Sequence, residues 1–188
     1  MQECNLQTAL SENSDVNFEL IKKAEKTADT LIKKMKELSF TLALAESCTC
    51  GLVSSLLARI PGASAVLWGS FVCYTQEAKI SMLDIDKNEL LAHGLVSKET
   101  ASFMAAGALQ KSGADISASV TGLAGPQGDG SKTAVGTVWA AVAVRNGNTV
   151  VKEFHFDGSR NEVRLKAAIA VFELIQDLMY IHCFRLTD

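Results

Sequence analysis

The stretch Leu42-Ala43-Leu44-Ala45-Glu46-Ser47-Cys48-Thr49-Cys50-Gly51 constrains this chain more than any other part of it. An apolar run of strand length stops abruptly in small polar residues. Leu52, Val53, Leu56, Leu57 and Ile60 then recur at helical spacing, so the residues read strand, tight turn, helix. Such a unit seeds an α/β fold, in which the strand is buried in a sheet and the helix covers it. It also sets Ser47 beside the free backbone N–H groups of a helix start, which favour negative charge and can hold an anion or a developing oxyanion. Two readings of the turn stand open on these residues: Ser47 or Thr49 caps the helix, or Ser47 carries chemistry.

Around this unit the pattern of elements is regular. From about Asn17 to Glu37, apolar residues at three- and four-residue steps between lysines and glutamates predict an amphipathic helix with a solvated charged face. The strand itself spans Phe40 to Leu44, and Pro61-Gly62 stops the helix that follows. Ala65 to Tyr74 is rich in branched and aromatic residues and predicts a buried strand, with Gly69 marking a bulge or a close backbone approach. Thr75 can cap a helix over Gln76 to about Leu83. Lys87 to Ala92 predicts a short helix closed by His93-Gly94, and Ser97 with Thr100 starts another that runs to about Lys111. Asp115 to Thr121 is a strand of small residues. Gly136 to Arg145 and Val150 to Phe156 read as two strands joined by Asn146-Gly147-Asn148, a hairpin signal, before a long closing helix through Val163 to Ile181. The expectation is a three-layer α/β/α domain with a mixed, mostly parallel sheet of about five strands.

A chain of 188 residues, 48% hydrophobic and 21% charged, suits one domain, expected over residues 16–188, behind a flexible N-terminal tail of residues 1–15. The formal net charge of -3 and scattered basic residues disfavour a nucleic-acid surface. No apolar run is long enough to span a bilayer and no signal-peptide layout opens the sequence, so a cytoplasmic protein without a membrane partner is expected. Five cysteines form no regular framework, which fits reduced thiols, and the lone Cys48-Thr49-Cys50 pair lacks the second pair of a structural zinc site. No metal and no cofactor are called for.

A serine nucleophile needs a base, and the three histidines, His93, His155 and His182, sit at positions better explained by capping, a strand and a helix end. Lys79, a turn or so beyond the strand that ends at Tyr74, is the better partner, because reactive groups in open α/β sheets gather outside the strand ends. A lysine serves as a base if desolvation lowers its pKa, the alternative being a solvent-facing helix lysine. Cys48 is a rival nucleophile, or a packing residue. After Thr121 the chain enters Gly122-Leu123-Ala124-Gly125-Pro126-Gln127-Gly128-Asp129-Gly130, a loop whose backbone can approach a ligand closely. It matches neither the P-loop nor the dinucleotide fingerprint, and an ordinary surface loop is the alternative.

Taken together, Ala45 to Gly51, Phe71 to Lys79, Gly94-Leu95-Val96-Ser97, Thr121 to Pro126 and Val135-Gly136-Thr137-Val138 resemble the C-terminal domain of the competence/damage-inducible CinA proteins, a family that includes the nicotinamide-nucleotide amidases. The resemblance covers about Ile21 to Leu178 and implies a three-layer α/β/α fold. The activity it implies is deamidation of nicotinamide mononucleotide to nicotinate mononucleotide and ammonia in pyridine-nucleotide recycling. By position it implies Ser47 as nucleophile and Lys79 as its base, with Tyr74 and Thr121 completing the cluster. Backbone N–H groups at Thr49, Cys50 and Gly51 would stabilise the oxyanion and contact substrate, and the glycine-rich composition of the loop makes Gly122, Ala124 and Gly125 the candidates for gripping the nucleotide through backbone donors. The family tends to assemble as homodimers or larger homo-oligomers, and the other implied partner is the small pyridine nucleotide.

The sequence departs from the family's pattern at named places. Cys50 stands where the family's A-E-S-C-T-G-G has its first glycine, and the added Cβ and sulfur are expected to narrow the pocket. Gln76 replaces an asparagine, Gln127 and Asp129 alter the glycine loop, and the segment Lys132 to Val138 lacks the family's proline and is one residue longer. A noncatalytic nucleotide-binding module and a competence or DNA-damage accessory protein of the same fold are the rival functional readings.

Overall fold

Along a strand, side chains of one parity face one layer of helices and those of the other parity face the second, so the small and branched residues of the middle strands decide how the layers stack. The computed structural model describes residues 18–185. The expected tail, residues 1–15, lies outside them. Helix α1 (Phe18–Glu37) leads into β1 (Leu42–Glu46), α2 (Leu52–Ala58), a 3₁₀ turn (Ala63–Ala65), β2 (Leu67–Val72), α3 (Gln76–Leu83), α4 (Lys87–His93), α5 (Lys98–Ser112), β3 (Ile116–Gly122), β4 (Thr137–Val144), β5 (Thr149–His155) and α6 (Arg160–Arg185).

The five strands lie in the order β2-β1-β3-β4-β5. β1 pairs in parallel with β2 and β3, while β3 with β4 and β4 with β5 are antiparallel, so all strands but β4 run one way. This is the mixed α/β/α arrangement the sequence predicts. Leu42, Leu44, Ile116, Ala118, Val120, Val138, Ala140 and Val142 pack against α1, α2 and α6 in one core. On the opposite face Ala45 and Cys73 meet Leu83, Leu90 and Met104, and Ala141 and Ala143 meet Ala101 and Ala105. Among the described residues no helix is long and apolar enough to cross a membrane.

The small residues of β3 have a specific use. Ser117 and Ser119 donate their buried hydroxyls to the carbonyls of Ala105 and Ala101 at 2.6 and 2.5 Å, so α5 lies close on the strand with each polar group satisfied. Thr121, next on the same face, donates to the Leu95 carbonyl at 2.7 Å, just before α5 begins.

The segment read as a buried strand over 65–74 is instead an edge strand, with Trp68 52% and Val72 39% exposed. The sheet ends at β2, so its aromatic and branched residues are covered from fewer sides than their hydrophobicity suggests. Its register with β1 steps from Leu42↔Leu67 to Ala43↔Gly69, an irregularity at the glycine that the sequence marks for it. The β4–β5 hairpin turns through Asn146 at φ 58°, the left-handed conformation that asparagine tolerates.

Helix α3 is held in place by a glycine contact. A Cβ on Gly107 of α5 would stand 2.5 Å from the Leu83 carbonyl oxygen and 2.9 Å from Leu83 Cβ at the end of α3. Gly107→Ala is therefore expected to force the two helices apart and to cost about 1–3 kcal/mol, as overpacking does. Thermal unfolding should show a fall of at least about 2 °C; an unchanged melting temperature would contradict the contact.

Candidate active site

The turn after β1 is built on Glu46, whose carboxylate is fully buried. Oε2 accepts from the Thr49 hydroxyl at 2.9 Å and the Val53 N–H at 3.0 Å. Oε1 accepts from the Ser54 N–H and hydroxyl at 2.9 and 2.8 Å and from the Ser70 hydroxyl at 3.0 Å. A carboxylate at the start of α2 satisfies its free N–H groups and complements its dipole. Of the two readings of the turn, the one in which Ser47 or Thr49 caps the helix is not what the structure shows: the N-cap residue is Gly51, at φ 87°, and it makes no side-chain cap bond. Thr49 Oγ1 is spent on Glu46, and Ser47 is left for other work.

Ser47 closes the end of β1, its N–H donating to the Val120 carbonyl at 3.0 Å. Its Oγ lies 2.9 Å from Lys79 Nζ. Lys79 comes from the first turns of α3, a helix that Thr75 caps by accepting from the Ala78 N–H at 3.1 Å. The solvent-facing alternative for this lysine is excluded, since it is only 1% exposed. Its amine also donates to the carbonyls of Cys73 at 3.0 Å and Tyr74 at 3.4 Å. A neutral amine has two N–H groups and one lone pair. The two carbonyls can take both N–H groups, which leaves the lone pair for the Ser47 hydroxyl proton. Burial favours that neutral form: desolvation holds the Lys79 pKa below the ordinary 10.5, against the opposing influence of the Cys73 and Cys48 thiols.

Burial also pushes the Cys48 thiol up to about 12 and the Cys73 thiol up to about 11, so both are neutral near pH 7. Cys48 is thus removed as a rival nucleophile, because the thiolate is the reactive form. None of the histidines whose side chains are described joins the site. His93 faces Glu89 at 3.4 Å, and His155 lies on β5 with Nδ1 3.5 Å from Thr137 Oγ1.

Ser47 and Lys79 line a cavity of about 210 Å³ beyond the strand ends, whose lining also includes Cys48, Tyr74, Leu95, Thr121 and the loop from Gly122 to Gly125. The structure therefore brings together Ser47, Lys79, Tyr74 and Thr121 with Gly122, Ala124 and Gly125. It does not bring in Thr49, Cys50 or Gly51, which line no part of it. The Cys50 N–H donates to the Ser47 carbonyl at 3.1 Å, so this amide of the expected oxyanion set is committed to holding the turn. Cys50 itself is exposed, at φ 49°, and does not narrow the cavity as expected. Thr121 has its hydroxyl hydrogen engaged by Leu95, which leaves its oxygen as an acceptor toward the cavity.

Arg160, at the start of α6, is a site residue that sequence reasoning placed only at a helix start. Its guanidinium donates to the Gly125 carbonyl at 2.7 Å and the Tyr74 hydroxyl at 3.0 Å, clasping the glycine loop to the tyrosine across the cavity. No local pattern marks it, since its partners lie 35 and 86 residues away. Arg164 similarly braces the turn after β1, donating to the Thr49 carbonyl at 2.7 Å.

The model of the CinA C-terminal domain family matches residues 24–179. A CinA-like protein of Geotalea uraniireducens is 40% identical over 164 residues, covering 86% of this chain and 39% of that protein. Another, from Geobacter metallireducens, is 39% identical over 157 residues, covering 83% of this chain and 38% of that protein. The chain thus spans about two fifths of the length of the curated relatives it matches. Among solved structures, the competence/damage inducible protein CihA from Agrobacterium tumefaciens superposes with a TM-score of 0.80 at 39% identity, over 83% of this chain and 95% of that one. The competence damage-inducible protein A of Klebsiella pneumoniae gives 0.81 at 29% identity, over 84% and 97%.

The buried amine makes a linkage prediction. Because the folded pKa of Lys79 lies below its unfolded 10.5, the unfolded chain binds the extra proton between the two values. The cost of burying the amine is therefore present in full below the folded pKa and vanishes as pH rises to the unfolded one. In denaturant titrations the wild type should gain stability relative to Lys79→Met as pH climbs toward 10.5. A pH-independent difference between the two proteins would mean that Lys79 is not desolvated.

Proposed function

The chain belongs to the CinA C-terminal domain family, and from that premise we propose that it is an amidohydrolase that deamidates nicotinamide mononucleotide to nicotinate mononucleotide and ammonia. The observation that carries the reading is the 2.9 Å approach of Lys79 Nζ to Ser47 Oγ, with the lysine buried and its pKa held down. A hydroxyl beside a desolvated amine is an activated nucleophile in its own right. The substrate comes from the family resemblance.

Ser47 Oγ attacks the carboxamide carbon while its proton passes to Lys79 Nζ, giving a tetrahedral intermediate. As this collapses, the C–N bond breaks and the Lys79 ammonium returns the proton to the departing nitrogen, which leaves as ammonia. Water, deprotonated by the same amine, then attacks the acyl ester and releases the carboxylate and Ser47. The Cys73 and Tyr74 carbonyls hold the amine throughout. Their dipoles favour the ammonium that forms in each half-reaction, so a base whose pKa burial lowers is still able to accept a proton. Arg160 supplies positive charge at the cavity wall, which suits a phosphate-bearing substrate.

The expected outcome is ammonia release from nicotinamide mononucleotide that Ser47→Ala abolishes and Lys79→Met lowers by about 10²- to 10⁴-fold in kcat. kcat/KM should rise with pH as Lys79 loses its proton, at a pH below 10.5. Absence of ammonia from neutral to mildly alkaline pH, or an undiminished rate in Ser47→Ala, would sink the proposal. Tight binding of the nucleotide without turnover, unaffected by Lys79→Ala, would instead identify a noncatalytic nucleotide-binding module.

A further inference from the structure

We infer that Glu46, which does not line the cavity and cannot touch a substrate in it, is the positioning residue that sets the geometry of the Ser47–Lys79 pair. This rests on the proposed nucleophilic role of Ser47 and extends it to a residue outside the site. The argument is a closed ring of bonds. Glu46 is covalently joined to Ser47. Its backbone carbonyl accepts from the Cys73 N–H at 2.9 Å, the Cys73 carbonyl accepts from Lys79 Nζ at 3.0 Å, and Lys79 Nζ meets Ser47 Oγ at 2.9 Å. Glu46 thus stands behind both members of the pair, behind the nucleophile through the chain and behind the base through the Cys73 peptide.

The side chain makes this ring rigid. Its five donors come from three separate segments: Thr49 in the turn, Val53 and Ser54 in α2, and Ser70 in the edge strand β2. The bond to Ser70 ties β1 to β2 three residues before Cys73, whose carbonyl, with that of Tyr74, holds Lys79 Nζ. The bonds to Val53 and Ser54 fix where α2 begins and therefore the path of the turn from Ser47. Within the salt bridges of the described residues, none involves Glu46, so these hydrogen bonds are what offsets the burial of its charge.

The chemistry requires a carboxylate. Each oxygen accepts one backbone N–H, Val53 on Oε2 and Ser54 on Oε1, and unlike a hydroxyl a backbone N–H cannot turn to become an acceptor. In Glu46→Gln the side-chain NH₂ must face one of these two donors whichever way the amide is flipped. That bond is lost and the turn shifts. Displacement of a nucleophile from its base by even 1 Å costs about 10²-fold in rate.

The test reads Ser47 without a substrate. A fluorophosphonate that phosphonylates activated serines is applied across a range of pH, well below the melting temperature of each protein, and modification of Ser47 is followed by mass spectrometry with Ser47→Ala as blank. Glu46→Gln should label about 10²-fold more slowly at the plateau of the pH curve, with melting used to confirm that it is folded. In turnover, kcat should fall with KM within about twofold, since no cavity wall has changed. A residue needed only for stability would leave the labelling rate of the folded protein untouched. Ser70→Ala, which removes one donor and keeps both backbone bonds, guards against failure of the first variant to fold, and should label several-fold more slowly than wild type. If wild-type Ser47 takes no label, the nucleophile reading and this inference fall together. If wild type is labelled and Glu46→Gln, or Ser70→Ala where Glu46→Gln does not fold, reacts as fast, the inference alone is overturned.

Discussion

The burial of the Lys79 amine is the constraint on which the rest of the site depends. A lysine ammonium taken out of water loses its hydration, so burial pushes the Lys79 pKa down, and the amine needs fixed partners for its N–H groups. The partners are backbone carbonyls at the exit of β2, which cannot swing away as side chains could. The consequence runs outward from there. The exit of β2 must be held, which the Cys73 N–H does through the Glu46 carbonyl, and α3 must be held, which its Thr75 cap and its contact with Gly107 of α5 do. On the proposed reading the site needs no histidine, because desolvation supplies part of the tuning that an imidazole brings with its intrinsic pKa.

The sheet places this pair where chemistry can reach it. β1 and β3 run parallel and adjacent, and both end at the cavity, one delivering Ser47 and the other Thr121 and the glycine loop. β3 can lie this close to α5 because its inward residues are Ser117, Ser119 and Thr121, whose hydroxyls bond carbonyls of α5 and of the loop that precedes it. Gly122 continues the same economy of space, since a Cβ there would stand 2.7 Å from the Thr137 carbonyl oxygen. The cavity wall is thus a by-product of small-residue packing between a strand and a helix, and Arg160 then closes it by joining Gly125 to Tyr74.

What could be read from the sequence was whatever had a local signature. Strand, turn and helix around Ser47, the Thr75 and Ser97 caps and the Asn146-Gly147 hairpin follow from residue spacing within a window of a few turns, whereas Lys79, 32 residues from Ser47, is singled out as its partner by its place beyond a strand end and by the family resemblance. The features that escaped are bonds between distant segments. Glu46 reads as an ordinary residue in a motif until Ser54 and Ser70 are seen converging on it, and Arg160 reads as a helix-start cation until Tyr74 is found against it. The exposure of β2 was equally hidden. Hydrophobic content marks a strand, but whether that strand lies in the middle of a sheet or at its edge is decided by where the other strands go.

Cys50 shows how a departure from a family pattern is settled by backbone direction and not by side-chain size. A glycine is favoured where φ is positive, and Cys50 sits at φ 49° followed by Gly51 at φ 87°, so the turn takes two left-handed residues in succession. A non-glycine residue in that region costs roughly 1–2 kcal/mol. The cost is borne locally: the Cys50 N–H still reaches the Ser47 carbonyl, and the five bonds to Glu46 hold the flanking residues in place. The left-handed conformation leaves Cys50 exposed, away from the cavity, so the residue that on paper most threatened the pocket takes up none of its space. The same turn that tolerates Cys50 is the one that presents Ser47 to Lys79, and its path is tied to the carboxylate buried one residue before Ser47.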